Sequence, residues 1–281
     1  MKIGITAWNW VSPFRTDKDL GLVAKAASFG AEVFEFAMED DAQVGATELK
    51  RALGDSGLDC SVVGPYGAHR DLSHPDAAIR SQGEEHARRG VDLCSEIGSN
   101  IFTGPAVGFG GQEVLSSETR RSRLQYAAES LRRLGDYASQ AGVRLGVEIL
   151  NRYEDNVLTT AEQAREFIDL VDHRSVGIHL DAFHMNIEEV DPAGAVMTAG
   201  DRIVHFHAAG SHRGTPGAGN FAWREVAAAL KKVDYSGYVV IEAFHHEAPI
   251  AGHARIWRPL VSSPDESARE GIAFLKRLLA P

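Results

Sequence analysis

Four side chains near the ends of predicted strands could together carry out metal-assisted acid–base chemistry: Glu148, Asp181, His207 and Glu242. In SVGIHLDAFHMNIEE, residues 175–189, an alternating apolar run leads into an aspartate, a histidine and a polar stretch. Core packing alone gives little reason for such an ending. Side chains alternate between the two faces of a strand. In RLGVEIL, residues 144–150, Leu145, Val147 and Ile149 share the face that packs on helices, so Gly146 and Glu148 face the other way. The same alternation sets His179 and Asp181 against Val176, Ile178 and Leu180, and His205 and His207 against Val204 and Phe206. It sets Glu242 and Phe244 against Val239, Ile241 and Ala243.

Taken singly, a strand glutamate reads as a salt-bridge member and a lone histidine as a core group. Together they read differently, because three carboxylates converging without a counterion repel one another. A divalent cation held by Glu148, Asp181, His207 and Glu242 removes that conflict. Three oxygens and one imidazole make a hard site suited to Mn²⁺, Mg²⁺ or Co²⁺. Three carboxylates also exceed the ion's charge by one, so one glutamate can hold a proton, as reversible proton transfer requires. His179 and His205 lie one strand period deeper and read as hydrogen-bonded core groups. Glu35, inward if Val33 is inward, reads as a supporting or structural group.

The elements that must position these groups alternate along the chain. Strand-like runs fall at 2–6, 32–36, 60–64, 100–104, 144–150, 175–181, 202–207 and 238–244. Helical periodicity falls at 20–29, 48–53, 77–97, from Ser117 to a cap at Gly142, at 161–171, 192–198, 223–233 and 266–279. No linker rich in Pro, Ser or Gly interrupts them. Eight strand–helix pairs predict a single (β/α)8 barrel over residues 1–281, with catalytic groups at the C-terminal strand ends. A doubly wound open sheet fits less well, since the first turn, ITAWNWVSPF, has no glycine-rich phosphate fingerprint. Past the strand ends come Arg152 and Glu154, then His184 one turn beyond Asp181, then a glycine-rich loop around Arg213 that lets backbone and guanidinium approach a small polar ligand.

The balance of 29 Lys+Arg against 39 Asp+Glu, a formal charge of −10, disfavours a nucleic-acid partner, and no local basic stripe overrides it. No membrane-length apolar run or secretion signal is found, and Cys60 and Cys94 sit in apolar segments as core residues. A reduced cytoplasmic location is expected.

Several of these segments resemble a known family. GVEILNRYEDNVL, GIHLDAFHMNIEE, HFH followed by SHRGTPGAG, VVIEAF and IWRPL are similar to the ketose 3-epimerases. That group includes D-tagatose, D-psicose (D-allulose) and L-ribulose 3-epimerases and belongs to the xylose isomerase-like TIM barrels. The resemblance is specific over residues 143–260 and looser before them, where AAIRSQGEE fits. It implies that Glu148, Asp181, His207 and Glu242 are metal ligands, with Mn²⁺ the expected ion, and that Glu148 and Glu242 form the acid/base pair. It implies that Glu154, His184 and Arg213 hold the O1–O3 region of a free ketose inverted at C3 through an enediolate, in a homodimer or homotetramer. The chain departs from the pattern at Gly210, where many members carry glutamate, and in the TGPAVGFGG loop, which lacks a lidding aromatic of some members. Other readings stay open at this point: an aldose–ketose isomerase, an inosose dehydratase-like lyase, a catalyst acting on 3-keto-glycosides, an endonuclease IV-like nuclease, or a non-catalytic sugar-binding barrel.

Overall fold

The computed structural model describes residues 1–40, 42–108, 110–111 and 113–280. These residues form eight parallel strands: β1 Lys2–Thr6, β2 Val33–Ala37, β3 Asp59–Val63, β4 Ile101–Gly104, β5 Arg144–Glu148, β6 Val176–Asp181, β7 Ile203–Ala208 and β8 Tyr238–Ile241. They close in sequence order with β8 against β1, the barrel expected from the alternation of periods. The helices expected at 77–97 and 161–171 lie at those bounds. The second of them shows why. Ala161, Ala164, Phe167, Ile168 and Val171 form one buried stripe, the Thr160 hydroxyl accepts the Gln163 N–H at 3.3 Å, and Asp172 ends the helix in the left-handed region.

The connection from β6 to β7 differs from expectation. It carries two helices, Ala182–Glu188 and Pro192–Ala199, where one at 192–198 was expected. Asp181 begins the first, its Oδ1 accepting the N–H groups of Phe183 and His184 at 2.7 and 3.0 Å. The aspartate that ends the strand therefore does have a structural task, performed by one of its two oxygens.

The barrel lumen is filled in layers. Toward the floor, Val33, Val204 and Val240 meet positions without side chains: a Cβ on Gly4 would stand 2.8 Å from Val33 Cβ, and one on Gly177 would stand 2.3 Å from Val204 Cγ1. Val204 thus points into the lumen, not outward beside Phe206 as strand alternation predicts. The cause is a register shift at Ile178/His179, where Ile178 pairs with Ile203 and His179 with His205, leaving Val204 as an extra residue on β7. Beyond the shift Asp181 lies level with His207, and on the neighbouring pairs Glu148 faces His179 and Glu35 faces Ser61.

Outside the barrel, the Phe102 ring of β4 fills a slot between Gly64 and the helix glycine Gly90; a Cβ on either would come 2.2 Å from the ring. A glycine inside a helix forfeits about 1 kcal/mol relative to alanine. Overpacking a core costs about 1–3 kcal/mol, so the clash outweighs the helix propensity. Gly90→Ala is expected to destabilise the protein by up to about 2 kcal/mol in urea denaturation, with a stabilised variant contradicting the packing assignment.

Candidate metal centre and active site

Burial leaves these strand ends a difficult electrostatic problem. Glu148 is 5% exposed, Glu242 3%, and Asp181 and His207 are fully buried. His207 Nδ1 stands 3.3 Å from Glu242 Oε1, 3.8 Å from Asp181 Oδ2 and 3.9 Å from Glu148 Oε1. Ligand atoms of Glu148, Asp181 and His207 lie within 4.8 Å of one another. Glu242 lies nearest the histidine, and its Oε2 is 3.7 Å from Arg213 Nη2. His207 Nδ1, Asp181 Oδ2 and Glu242 Oε2 have no hydrogen-bond partner among the described residues. Buried polar atoms are rarely left so, and a divalent cation would satisfy all three. The four residues expected as ligands are therefore brought together, and their donor set fits a hard divalent ion.

Proton affinities follow from this crowding. Burial first, then the Glu242 carboxylate, raises Asp181 from 3.8 to about 7. Burial and Glu242 likewise push Glu148 well up. His207 is raised well above its ordinary value: burial opposes its charge, but the surrounding Glu35 and Glu242 prevail.

A second group of nitrogens, on His179, His205 and His207, also lies within 4.8 Å. The protein itself occupies much of it. Glu35 Oε1 accepts the His207 Nε2–H at 2.8 Å, Glu35 Oε2 accepts the Ser61 hydroxyl at 2.7 Å, and His205 Nε2 is 2.8 Å from the same oxygen. The Thr103 hydroxyl donates to Gly146 O at 3.0 Å and so accepts from His179 Nδ1–H at 2.7 Å. His179 and His205 are buried core groups, but the hydrogen bonding expected of them is met only at His179 Nδ1, with His179 Nε2 and both His205 nitrogens lacking a hydrogen-bond partner among the described residues. Glu35 supports His207 from below.

Arg213 forms the other wall. Its guanidinium lies between the rings of Phe183 and Phe244, 4.6 and 4.8 Å from their centroids, and Phe244 stacks on Trp8 at 5.4 Å. Desolvated cation–π contacts of this kind contribute about 2 kcal/mol each. Arg213 Nη1 donates to Glu154 Oε1 at 3.2 Å and to Ala254 O at 3.3 Å, while Nε has no partner among the described residues. The residue is held at φ +68, a conformation that only a well-determined loop sustains. Gly210 closes that loop by donating its N–H to Gly214 O at 2.8 Å; a Cβ there would meet Thr215 O at 2.8 Å and Ala218 O at 3.0 Å, which is why glutamate has no room.

His184 is oriented by a residue the strand pattern gives no hint of. Asn151 donates its backbone N–H and its Nδ2–H to His184 Nδ1, at 3.1 and 2.8 Å, and Nδ2 also reaches Glu154 Oε1 at 3.1 Å. Because Nδ1 accepts, the neutral ring carries its proton on Nε2, which is buried and has no partner among the described residues. Burial, then the charge of Arg213, holds His184 well below its ordinary pKa. Asn151, Phe183 and Trp8 escape sequence reading, the only signal being a polar run directly after a strand. Arg152 turns away from the site and pairs with Glu188 at 2.8 Å.

Glu148, Glu154, Arg213, Glu242, Trp8, Tyr66 and Phe244 line one pocket of about 90 Å³ at the C-terminal mouth. A roomier cavity of about 330 Å³ at the opposite end is lined by Arg144, Tyr235 and Tyr238 but lacks the converging carboxylates, so the chemistry belongs to the mouth. Phe109 of the TGPAVGFGG loop lies outside the described residues.

Fold and site together define a (β/α)8 barrel with a candidate metal centre at the C-terminal ends of its strands. Residues 23–278 match the model of the xylose isomerase-like TIM barrel family. The chain is 41% identical over 275 residues to a D-psicose 3-epimerase of Enterocloster bolteae, covering 95% of this chain and 91% of that one. It is 32% identical to an L-ribulose 3-epimerase of Methylomonas sp. (strain DH-1) over 258 residues, 91% and 90% of the two chains. A crystal structure of D-allulose 3-epimerase from Methylomonas sp. superposes with a TM-score of 0.92 at 31% identity, over 99% of this chain and 98% of the other. The chain belongs to the ketose 3-epimerase group of the xylose isomerase-like TIM barrel family, and it is an enzyme of the isomerase class.

The raised pKa values set a stability test. Asp181 binds its proton more tightly folded than unfolded, so its contribution is complete below about 3.8 and is lost as pH rises toward about 7. Glu148 and His207 act in the same direction. His179, His184 and His205, held below their ordinary pKa by burial, bear on the metal-free stability in the opposite sense. A divalent ion at Glu148, Asp181 and His207 must displace their protons, so added Mn²⁺ should raise the melting temperature of chelator-treated protein more at pH 8 than at pH 5. A metal-induced shift that is the same at both pH values would contradict the shared site.

Proposed function

We propose that the chain epimerises free ketoses at C3, with Glu148 and Glu242 as the two proton-transfer groups. The observation that carries this reading is their placement: two buried glutamates, one ending β5 and one directly after β8, line one pocket and flank His207 Nδ1 at 3.9 and 3.3 Å. Glu148, Asp181, His207 and Glu242 would hold the divalent ion, Mn²⁺ being the proposed one and Co²⁺ or Mg²⁺ the alternatives. When bound, such an ion polarises the ketose carbonyl and offsets the excess carboxylate charge. One glutamate takes the C3 proton as the C3–H electron pair delocalises through C2 onto the carbonyl oxygen. The other returns a proton to the opposite face, so that no net proton is consumed. Two groups are needed because a single base restores the starting configuration. The free His184 Nε2–H and Arg213 Nε–H are donors for ketose oxygens, and Glu154 is an acceptor held in place by Arg213 and Asn151.

The substrate range proposed is that of the D-allulose/D-fructose, D-tagatose and L-ribulose type, by kinship with the relatives named above. A homodimer or homotetramer in the cytoplasm is proposed with it; Tyr153 and Trp257, 66% and 76% exposed beside the mouth, are apolar surface available to such an assembly. No helix among the described residues is long and apolar enough to cross a membrane.

Product formed in D₂O should carry deuterium at C3 and none at C1, as read by NMR. Glu148→Gln and Glu242→Gln should each abolish epimerisation, while one of them still exchanges C3 hydrogen in one epimer. Label at C1 would instead identify an aldose–ketose isomerase.

Asp181→Asn should weaken Mn²⁺ binding by more than about tenfold, whereas Arg213→Ala should leave metal affinity intact and lower kcat/KM about 100-fold through lost positioning. Equal loss of metal in both variants, measured by competition with a chelator, would reject the division of roles.

A further inference from the structure

We propose that Glu35 is the positioning residue that prepares His207 for the metal, a role that rests on the metal reading above and adds a residue to it. Glu35 comes from β2, on the far side of the lumen from β7, and is fully buried. No lysine or arginine neutralises it among the described residues. Its charge is met only by the Ser61 hydroxyl and the two imidazoles of His205 and His207.

The two carboxylate oxygens have separate tasks. Oε2 is held by Ser61 at 2.7 Å and lies 2.8 Å from His205 Nε2. Oε1 is left to His207, whose Nε2–H it accepts at 2.8 Å. An imidazole that donates from Nε2 keeps the lone pair on Nδ1, the atom that faces Glu148, Asp181 and Glu242. The carboxylate also makes the ring a stronger electron donor at Nδ1 and stops it from rotating. Ser61 sets the height of Glu35 by direct cross-strand pairing, and His205, two residues before His207 on the same strand, closes the other flank. A buried carboxylate serving only to balance charge would not need its oxygens divided in this way.

Removing a partner of this kind costs about 10–100-fold in metal affinity. Glu35→Leu should therefore bind Mn²⁺ about 10–100-fold more weakly in chelator competition, with the folded state verified by circular dichroism. Glu35→Gln, which keeps an acceptor and the volume, should lose less. Thr103→Val, which removes the partner of His179 in the same lumen layer, serves as the control for a merely structural role and should change Mn²⁺ affinity much less than Glu35→Leu. In ¹H–¹⁵N spectra of Zn²⁺-loaded wild-type protein, His207 should show an exchange-protected Nε2–H, which Glu35→Gln retains and Glu35→Leu loses. Should Glu35→Leu not fold, the wild-type spectrum and the Glu35→Gln affinity still decide. Zn²⁺ bound through Nε2, or an unprotected Nε2–H, would overturn the proposal, as would Mn²⁺ affinity equal in wild type and Glu35→Gln or in Glu35→Leu and Thr103→Val. Failure of the wild-type protein to bind Mn²⁺ would overturn the metal reading as well, whereas tight wild-type binding indifferent to Glu35 overturns this proposal alone.

Discussion

Repulsion between like charges at the barrel mouth governs the arrangement of the surrounding residues. Two carboxylates at 4.8 Å, the outer limit for ligand atoms of Glu148 and Asp181, repel by about 3 kcal/mol at an effective dielectric of about 20, and Glu242 adds further pairs. A domain stable by about 5–15 kcal/mol cannot leave several such terms uncompensated. The compensation is visible in what surrounds them. Arg213 supplies one fixed positive charge, and since a buried guanidinium is itself costly, it is enclosed by Phe183 and Phe244 and tied to Glu154 and Ala254. His207 turns a basic nitrogen toward the acids, and Glu35 and Ser61 fix it from beneath. The same unresolved charge that makes the site costly gives it affinity for a divalent cation.

The barrel makes this possible by separating packing from chemistry along its axis. Near the floor, three valines fill the space left by Gly4, Gly146 and Gly177, so the lumen is solid there. Above them several inward positions are polar and bonded to one another: Ser61 to Glu35 on the neighbouring strand, and Thr103 to His179 and Glu35 to His207 between strands that are not neighbours. A polar layer of this kind is rigid because every rearrangement exposes an unpaired group to a water-free interior.

Much of this was legible because strand periodicity is a local property. Once Leu145, Val147 and Ile149 are recognised as packing residues, Glu148 has one direction left, and the same reasoning orients Asp181, His207 and Glu242. Val204 broke the pattern because a bulge is set by the pairing of β6 with β7, which no single strand encodes. Asp181 read only as a chemical group, yet one of its oxygens caps a helix; the local sequence carries both messages at once. The partnership of Glu35 with His207 spans 172 residues of sequence, and the hold of Asn151 on His184 spans 33, so both depend on closure of the barrel. Arg152 and Arg213 looked alike in sequence. The first is bound to Glu188 at the surface, and a left-handed turn carries the second inward.

Gly210 marks a boundary in the routes by which this enzyme can diverge. Two backbone carbonyls stand within about 3 Å of where its side chain would begin, and carbonyls of a closed loop cannot move aside as a flexible side chain can. Placing there the glutamate expected from the family resemblance would first require the 210–218 turn, which carries Arg213, to be re-formed. The aromatic wall of the pocket leaves those carbonyls in place, but Trp8 also backs Phe244 and through it Arg213, so a change there reaches the same guanidinium from the other side.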